Sequence, residues 1–325
     1  MIARSSEWER AMAEQQRTNA NDTGDGGAGG GGTVSECVSM PRKLREAMDA
    51  GRLVLAPGCY DALGALLAQR HGFGAVYMSG LAVTASLLAR PDLELLGMSE
   101  MVRQAELIAS AVNIPVIADA DTGYGGLANV ERTTRAYADA NVAAIHLEDQ
   151  ASPKRCGQMA GVRLIDEGAM KAKLQVALEA RGDSGMLIIA RTDAFKAVGV
   201  DEAIRRANAY AEVDPDLLFV DGVLKAADFE QVRRRVEGPL LASIVELNAP
   251  AQTTAKQLED MGFAVAVYAL SGILATAGAL NRLMDGIRQR GSTDDAFEQM
   301  MTYGDLNETL GIRHFNEMWD RYATR

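Results

Sequence analysis

One pattern recurs eight times between residues 53 and 268: a short apolar run rich in β-formers, then a longer amphipathic stretch with helical spacing. The runs are Leu53–Ala56, Ala75–Met78, Val116–Ala118, Ala143–Leu147, Leu187–Ala190, Leu217–Val220, Leu240–Ala242 and Ala264–Tyr268. Between most of them lie Asp61–His71, Ser99–Val112, Val130–Ala140, Met170–Arg181, Asp201–Val213, Ala226–Glu237 and Thr253–Met261. Eight such repeats in roughly 230 residues predict an α/β protein folded as a (β/α)8 TIM barrel. A doubly wound open sheet is the alternative. Further helices follow the eighth run. The last, Glu308–Thr324, carries Leu310, Phe315, Met318, Trp319 and Tyr322 as an apolar stripe, expected to cover the barrel or dock on a neighbouring subunit.

The 325 residues are expected to divide into a disordered Gly-rich extension (1–40), a catalytic barrel (41–290) and a C-terminal helical extension (291–325). Asn19–Thr33 reads NANDTGDGGAGGGGT, which can bury nothing. Met1–Arg17 is charged and lacks the apolar segment of a secretory signal. The uncharged stretch Met261–Leu280 is long enough for a bilayer, but Gly262, Ser271, Gly272, Thr276 and Gly278 interrupt it. It reads as a buried strand, a Ser-Gly turn and a core-facing helix. The net charge of −11 argues against nucleic acid and anionic membranes as partners. A small anionic substrate would then need a local cation. Cys37, Cys59 and Cys156 are too few and scattered for a disulfide framework and fit a reducing cytoplasm.

Barrel enzymes place their chemistry at the C-terminal ends of the strands, and the polar residues fall there. Run two leads into Ser79-Gly80-Leu81, run three into Asp119-Ala120-Asp121, and run four into His146-Leu147-Glu148-Asp149-Gln150. Run five leads into Arg191-Thr192-Asp193, run six into Asp221, and run seven into Ser243 with Glu246 nearby. Asp119 and Asp121 share one face of an extended chain, and Glu148 adds a third oxygen donor. Carboxylates without His or Cys companions suit Mg²⁺, or Mn²⁺. The other reading is two helix caps and a buried acid paired with Lys or Arg. Arg191 can grip an oxyacid at two points; the alternative is a structural salt bridge, with Asp193 as its nearby partner. In Ser152-Pro153-Lys154-Arg155-Cys156-Gly157-Gln158, two cations precede a thiol. That setting favours thiolate and acid–base work on a mobile loop. Cys59 and Cys37 read as inert, and His146 as a satisfied core histidine, with His71 and His314 without role.

The motifs Asp119–Gly125, Leu147–Gln150 with Pro153–Gly157, and Ala190–Ala194 together resemble the isocitrate lyase and phosphoenolpyruvate mutase superfamily. Within it the chain resembles 2-methylisocitrate lyases, dimethylmalate lyases and carboxyphosphonoenolpyruvate phosphonomutase. The resemblance runs from about Pro41 to about residue 290. It implies a Mg²⁺-dependent barrel, often with its last helix swapped between subunits, in a homo-oligomer (dimer or tetramer). It implies that Ser79, Gly80 and Leu81 hold a substrate carboxylate through backbone N–H groups. Asp121 would be the nearest metal ligand, with Asp92, Asp119 and Glu148 binding directly or through water. Arg191 would grip the oxyacid, and Tyr77 or Tyr124 would line the pocket. Lys154, Arg155 and Cys156 match the lyase gating loop, in which Cys protonates the departing carbanion.

Three positions depart from the family pattern. Gln158 replaces a His in Lys-Arg-Cys-Gly-His, Asp221-Gly222 replaces Glu-Ala, and Ser243 replaces Asn. All three fall where the family binds the leaving dicarboxylate. Gln cannot become a cation at neutral pH, so carboxylate binding and thiolate stabilisation are expected to weaken. The expected function is a C–C lyase acting on a 2-hydroxy acid with an altered second-fragment pocket. A phosphonomutase is the alternative, and an inert binding barrel is a third reading.

Overall fold

The computed structural model describes residues 38–247 and 251–323. The Gly-rich segment and Cys37 therefore lie outside the described residues. Eight strands form: β1 (Val54–Cys59), β2 (Val76–Met78), β3 (Val116–Asp119), β4 (Ala144–Glu148), β5 (Leu187–Thr192), β6 (Leu217–Val220), β7 (Leu240–Ile244) and β8 (Val265–Tyr268). Each pairs in parallel with the next, and β1 pairs with β8, so the sheet closes. Closure excludes the open doubly wound alternative.

Several strands run further than the apolar runs do. β1, β3, β4, β5 and β7 continue through Cys59, Asp119, Glu148, Thr192 and Ile244. Among the residues so added, Glu148 of β4 and Arg191 of β5 are register partners of opposite charge and lie 3.2 Å apart.

Alternation along the strands creates two separate apolar layers. Val54, Ala56, Tyr77, Ile117, Ala144, Leu187, Ile189, Leu217, Phe219, Leu241, Val265 and Val267 cluster together and fill the interior. Val76, Met78, Val116, Ala118, Ile145, Leu147, Ile188, Ala190, Leu218 and Val220 join the other cluster, between sheet and helices. Continuing the inner phase gives Ser79, Asp119, Asp121, His146, Glu148, Arg191, Asp193, Asp221 and Ser243. Strand periodicity therefore gathers these residues at one end of the interior. At the other end α1 (Met40–Asp49) inserts the fully buried Leu44 into the inner layer.

The surrounding helices are α2 (Ala62–Arg70), α3 (Gly80–Leu88), α4 (Met98–Ala111), α5 (Leu127–Asp139), α6 (Glu167–Ala180), α7 (Ala194–Ala197), α8 (Val200–Ala211), α9 (Ala226–Arg235) and α10 (Ala255–Met261). α3 and α7 were not evident from apolar spacing. The Ser79 side chain caps α3 by accepting from the Ala82 N–H at 3.4 Å.

The uncharged stretch supplies β8 and the start of α11 (Ser271–Arg290). No described helix is long and apolar enough to cross a membrane. Two expectations are corrected here. Ser271 and Gly272 are the first residues of α11 rather than a turn, and α11 does not face the core. Leu274, Leu280, Met284 and Ile287 are exposed, and only Gly286 is buried. The helix leaves the barrel where Gly272 passes close to β1. A Cβ there would sit 2.6 Å from the Gly58 carbonyl oxygen. Beyond it lie α12 (Asp294–Phe297), α13 (Tyr303–Thr309) and α14 (Ile312–Tyr322), where Phe315, Met318, Trp319 and Tyr322 are likewise exposed.

Candidate active site

The strand register sets the first contacts. β3 and β4 place Asp119 beside His146, and β4 and β5 place Glu148 beside Arg191. Arg191 Nη1 lies 3.2 Å from Glu148, and its Nη2 lies 2.9 Å from both Asp193 and Asp221. Its guanidinium also lies 5.3 Å from the centre of the Phe219 ring, within cation–π range. Lys154 reaches back from the loop after β4 to Asp92 at 2.8 Å and Asp121 at 2.5 Å. Burial works against the Lys154 ammonium, but Asp121, Glu148, Asp119 and Asp92 outweigh it and raise its pKa well above the ordinary value. Both expected alternatives for these acids are thus partly realised. The carboxylates converge, and cations pair with some of them.

Asp121 adopts φ +48°, so the chain turns there instead of remaining extended. The carboxylates still meet. A Cβ on Gly80 would lie 2.6 Å from Asp119 Oδ2 and 3.5 Å from Asp121 Oδ1. The Gly80 N–H donates to Asp119 Oδ2 at 3.1 Å, and the Ser79 N–H donates to the Cys59 carbonyl at 3.4 Å. Both are therefore already engaged, contrary to the expectation of a free backbone cradle. Ser79 and Leu81 do line the cavity.

Six buried carboxyls (Asp92, Asp119, Asp121, Glu148, Asp193, Asp221) meet two buried cations, Lys154 and Arg191. Such an excess of buried negative charge calls for protons or another cation. Neither Glu148 oxygen accepts a hydrogen bond. Burial, with Asp193 and Asp119, raises the Glu148 pKa well above the carboxylate range despite Arg191. Burial with Asp119 and Asp92 likewise pushes Asp121 up to about 6, against Lys154. Asp119 goes the other way. Burial alone would raise it, but His146, Lys154 and Arg191 bring it to about 2. This oxygen-rich, under-neutralised set fits a hard divalent cation. Asp119, His146 and Glu148 form the one group among the described residues whose ligand atoms all lie within 4.8 Å of one another.

His146 is the residue that sequence reasoning missed. It is fully buried, as expected, but only half satisfied. Its Nε2 meets the Tyr77 hydroxyl at 2.8 Å, while Nδ1 has no hydrogen-bond partner and lies 3.7 Å from Asp119. Burial, with Arg191 and Lys154, lowers its pKa to about 4 against Asp119, so the ring is neutral. It stands two residues before Glu148, and the period-two argument applied to Asp119 and Asp121 would have found it.

A cavity of about 40 Å³, room for about three waters, is lined by Tyr77, Asp92, Asp119, Arg191, Asp221 and Ser243 on the barrel side. Cys156, Gly157 and Gln158 cover it. Gly157 is pressed onto the charged cluster so closely that a Cβ would collide with the Asp193 and Asp221 carboxylates. Tyr124 is not in the lining; its hydroxyl lies 3.4 Å from Tyr137, which donates to the Asp119 carbonyl.

The loop corrects the thiolate expectation. Burial, with Asp221 and Asp92, pushes the Cys156 thiol up to about 12. The two preceding cations do not help it. Lys154 is held by carboxylates, and exposed Arg155 turns back toward the Ala160 carbonyl at 3.4 Å. Cys156 is thus a neutral thiol in a cavity, a proton donor in character. Cys59 is buried, and burial with Asp61 also pushes its thiol up to about 12.

A closed parallel barrel with a charged, lidded cavity at the C-terminal strand ends is the architecture of a TIM-barrel enzyme. The family profile for phosphoenolpyruvate phosphomutase matches residues 44–288. The chain belongs to the phosphoenolpyruvate mutase/isocitrate lyase superfamily, whose members include lyases and phosphonomutases. It is 36% identical over 287 residues to 2,3-dimethylmalate lyase of Eubacterium barkeri, covering 88% of this chain and 99% of that one. It is 38% identical over 294 residues to the chloroplastic carboxyvinyl-carboxyphosphonate phosphorylmutase of Arabidopsis thaliana, covering 89% and 87%. Phosphonopyruvate hydrolase in complex with oxalate and Mg²⁺ superposes with a TM-score of 0.79 at 29% identity, covering 88% of this chain and all (100%) of that one.

Proposed function

We propose that this protein is a Mg²⁺-dependent C–C lyase that cleaves a 2-hydroxy acid of the alkylmalate or isocitrate type into a 2-oxo acid and a carboxylate fragment. The observation that carries this reading is the neutral Cys156 thiol held over a cavity that also contains Arg191. Carbon–carbon cleavage leaves a carbanion that must be protonated, whereas moving phosphorus between oxygen and carbon needs no proton donor. Asp121, Asp119, Glu148 and Asp92 would hold the ion. When bound, it supplies Lewis acidity that lowers the cost of ionising an α-hydroxyl.

Ser79 and Leu81, which line the cavity, face the 2-oxo acid end, and Gly80 lets Asp119 approach closely behind them. Tyr77 packs beside that end, while Tyr124 supports the wall behind Asp119. Arg191 grips the oxyacid and, with Lys154, stabilises developing negative charge. Arg155 serves the loop rather than the cavity. Gly157 lets the lid lie flat. Gln158, Asp221 and Ser243 face the second fragment, and Cys156 gives it a proton.

The test is 2-oxo acid release from a panel of 2-alkylmalates and isocitrates with Mg²⁺, with and without EDTA. Loss with EDTA and at least a hundredfold loss in Cys156→Ser is expected, on the scale of acid–base catalysis. Turnover that survives EDTA would overturn the reading. Similarity to the Arabidopsis phosphorylmutase favours a second reading, phosphonomutase; ³¹P NMR detects its C–P bond directly. The exposed apolar faces of α11 and α14 support a homo-oligomer, which light scattering would detect.

A further inference from the structure

The loop has an uncharged Gln158 at its tip, and the tertiary structure brings a cation to it from another element. Lys196, in α7, places Nζ 2.5 Å from Gln158 Oε1 and 3.5 Å from the Gln158 main-chain oxygen. An ammonium only donates, so the atom it meets is the amide oxygen. The amide NH₂ is then the part of Gln158 left for the cavity that this residue lines. The lysine stem gets there by crossing Gly222. A Cβ at that position would lie 3.0 Å from Lys196 Cγ and 3.4 Å from Cδ, and φ of +84° itself favours glycine. Gln158, Lys196 and Gly222 are therefore one contact unit built from two loops and α7. Asp221, which also lines the cavity, is already paired with Arg191 at 2.9 Å.

We propose that Lys196 is a positioning and specificity residue: it fixes the Gln158 amide with its NH₂ toward the cavity and brings positive charge to the second-fragment side, which thereby accepts a carboxylate. Naming the occupant as the second product rests on the lyase reading above.

Calorimetry on the full-length Mg²⁺-loaded protein tests it, with oxalate as probe for the oxyacid side and succinate for the other. Lys196→Met should weaken succinate by about tenfold to a hundredfold, the range of a lost charged hydrogen bond, and leave oxalate unchanged. KM should rise with kcat little altered, Lys196→Arg should restore most of the affinity, and Gly222→Ala should reproduce the loss. Because Lys196 is exposed, its Tm should not move. Equal succinate affinity in Lys196→Met and parent, equal loss of both probes, or no succinate binding by the parent overturns the proposal. The two readings fail separately. Lys196-dependent succinate binding without cleavage of any panel member removes the lyase and keeps the lysine. Cleavage unaffected by Lys196→Met does the reverse.

Discussion

On the side of the mouth built by β2 to β5, Asp92, Asp119, Asp121, Glu148, Lys154, Arg191 and Asp193 are all buried. On the other side Asp221 after β6, Ser243 of β7 and Gly157 are buried too, but Cys156 and Gln158 at the loop tip are half-buried and Lys196 of α7 is exposed. The contrast accounts for one of the three expected departures, Gln158, since Asp221 is a buried charge paired with Arg191 and Ser243 is buried as well. A buried charge cannot be changed without stranding its partners, whereas a half-wet rim can exchange a His for a Gln and recover a cation from a neighbouring helix. The buried cluster, Asp221 included, is constrained by electrostatics, and the loop tip by shape.

The largest effect should come from Arg191→Met, which strands Glu148, Asp193 and Asp221. Urea unfolding should show a loss of about 3–5 kcal/mol, with no measurable turnover. A loss no larger than that of a rim substitution would break the comparison. The Cys156 thiol should come next. Its pKa is raised, so thiolate is scarce at every pH below about 12. Iodoacetamide should therefore react on the order of a thousandfold more slowly at pH 8 than with a free thiol of pKa ~8.5. The rate should climb tenfold per pH unit through that range; a plateau below pH 8 would restore the thiolate expectation. Gly157→Ala follows. Its methyl cannot fit over Asp193 and Asp221, so the lid stays open. A drop in kcat/KM of about a hundredfold with faster proteolysis of the loop is expected. Ser243→Ala should be smallest, within about tenfold and confined to KM for the second fragment. An equal change in oxalate binding would mean that the two sides are not separable.

Much of this was legible residue by residue. Strand ends, the Asp119/Asp121 pair and the loop motif all lie in short windows, where period and composition suffice. His146 was accessible too, since it is in phase with Glu148. Three things were not. The direction of Arg155 decides whether its charge reaches Cys156, and adjacency in sequence misled on that point. The Gly80 N–H is engaged by Asp119, 39 residues away. The exposed apolar face of α11 is invisible to periodicity, which identifies a stripe but not what covers it.

By itself, then, the sequence determined the eight-fold repeat, the parity that points its polar residues inward, and the family. Those depend on local spacing and on side chains two residues apart. Only the tertiary structure decided which cation meets which carboxylate, that the thiol stays protonated, and that Lys196 stands behind Gln158. Each is a matter of burial and of distances of a few ångströms between residues far apart in the chain, where the low dielectric makes the partner, not the residue type, set the charge.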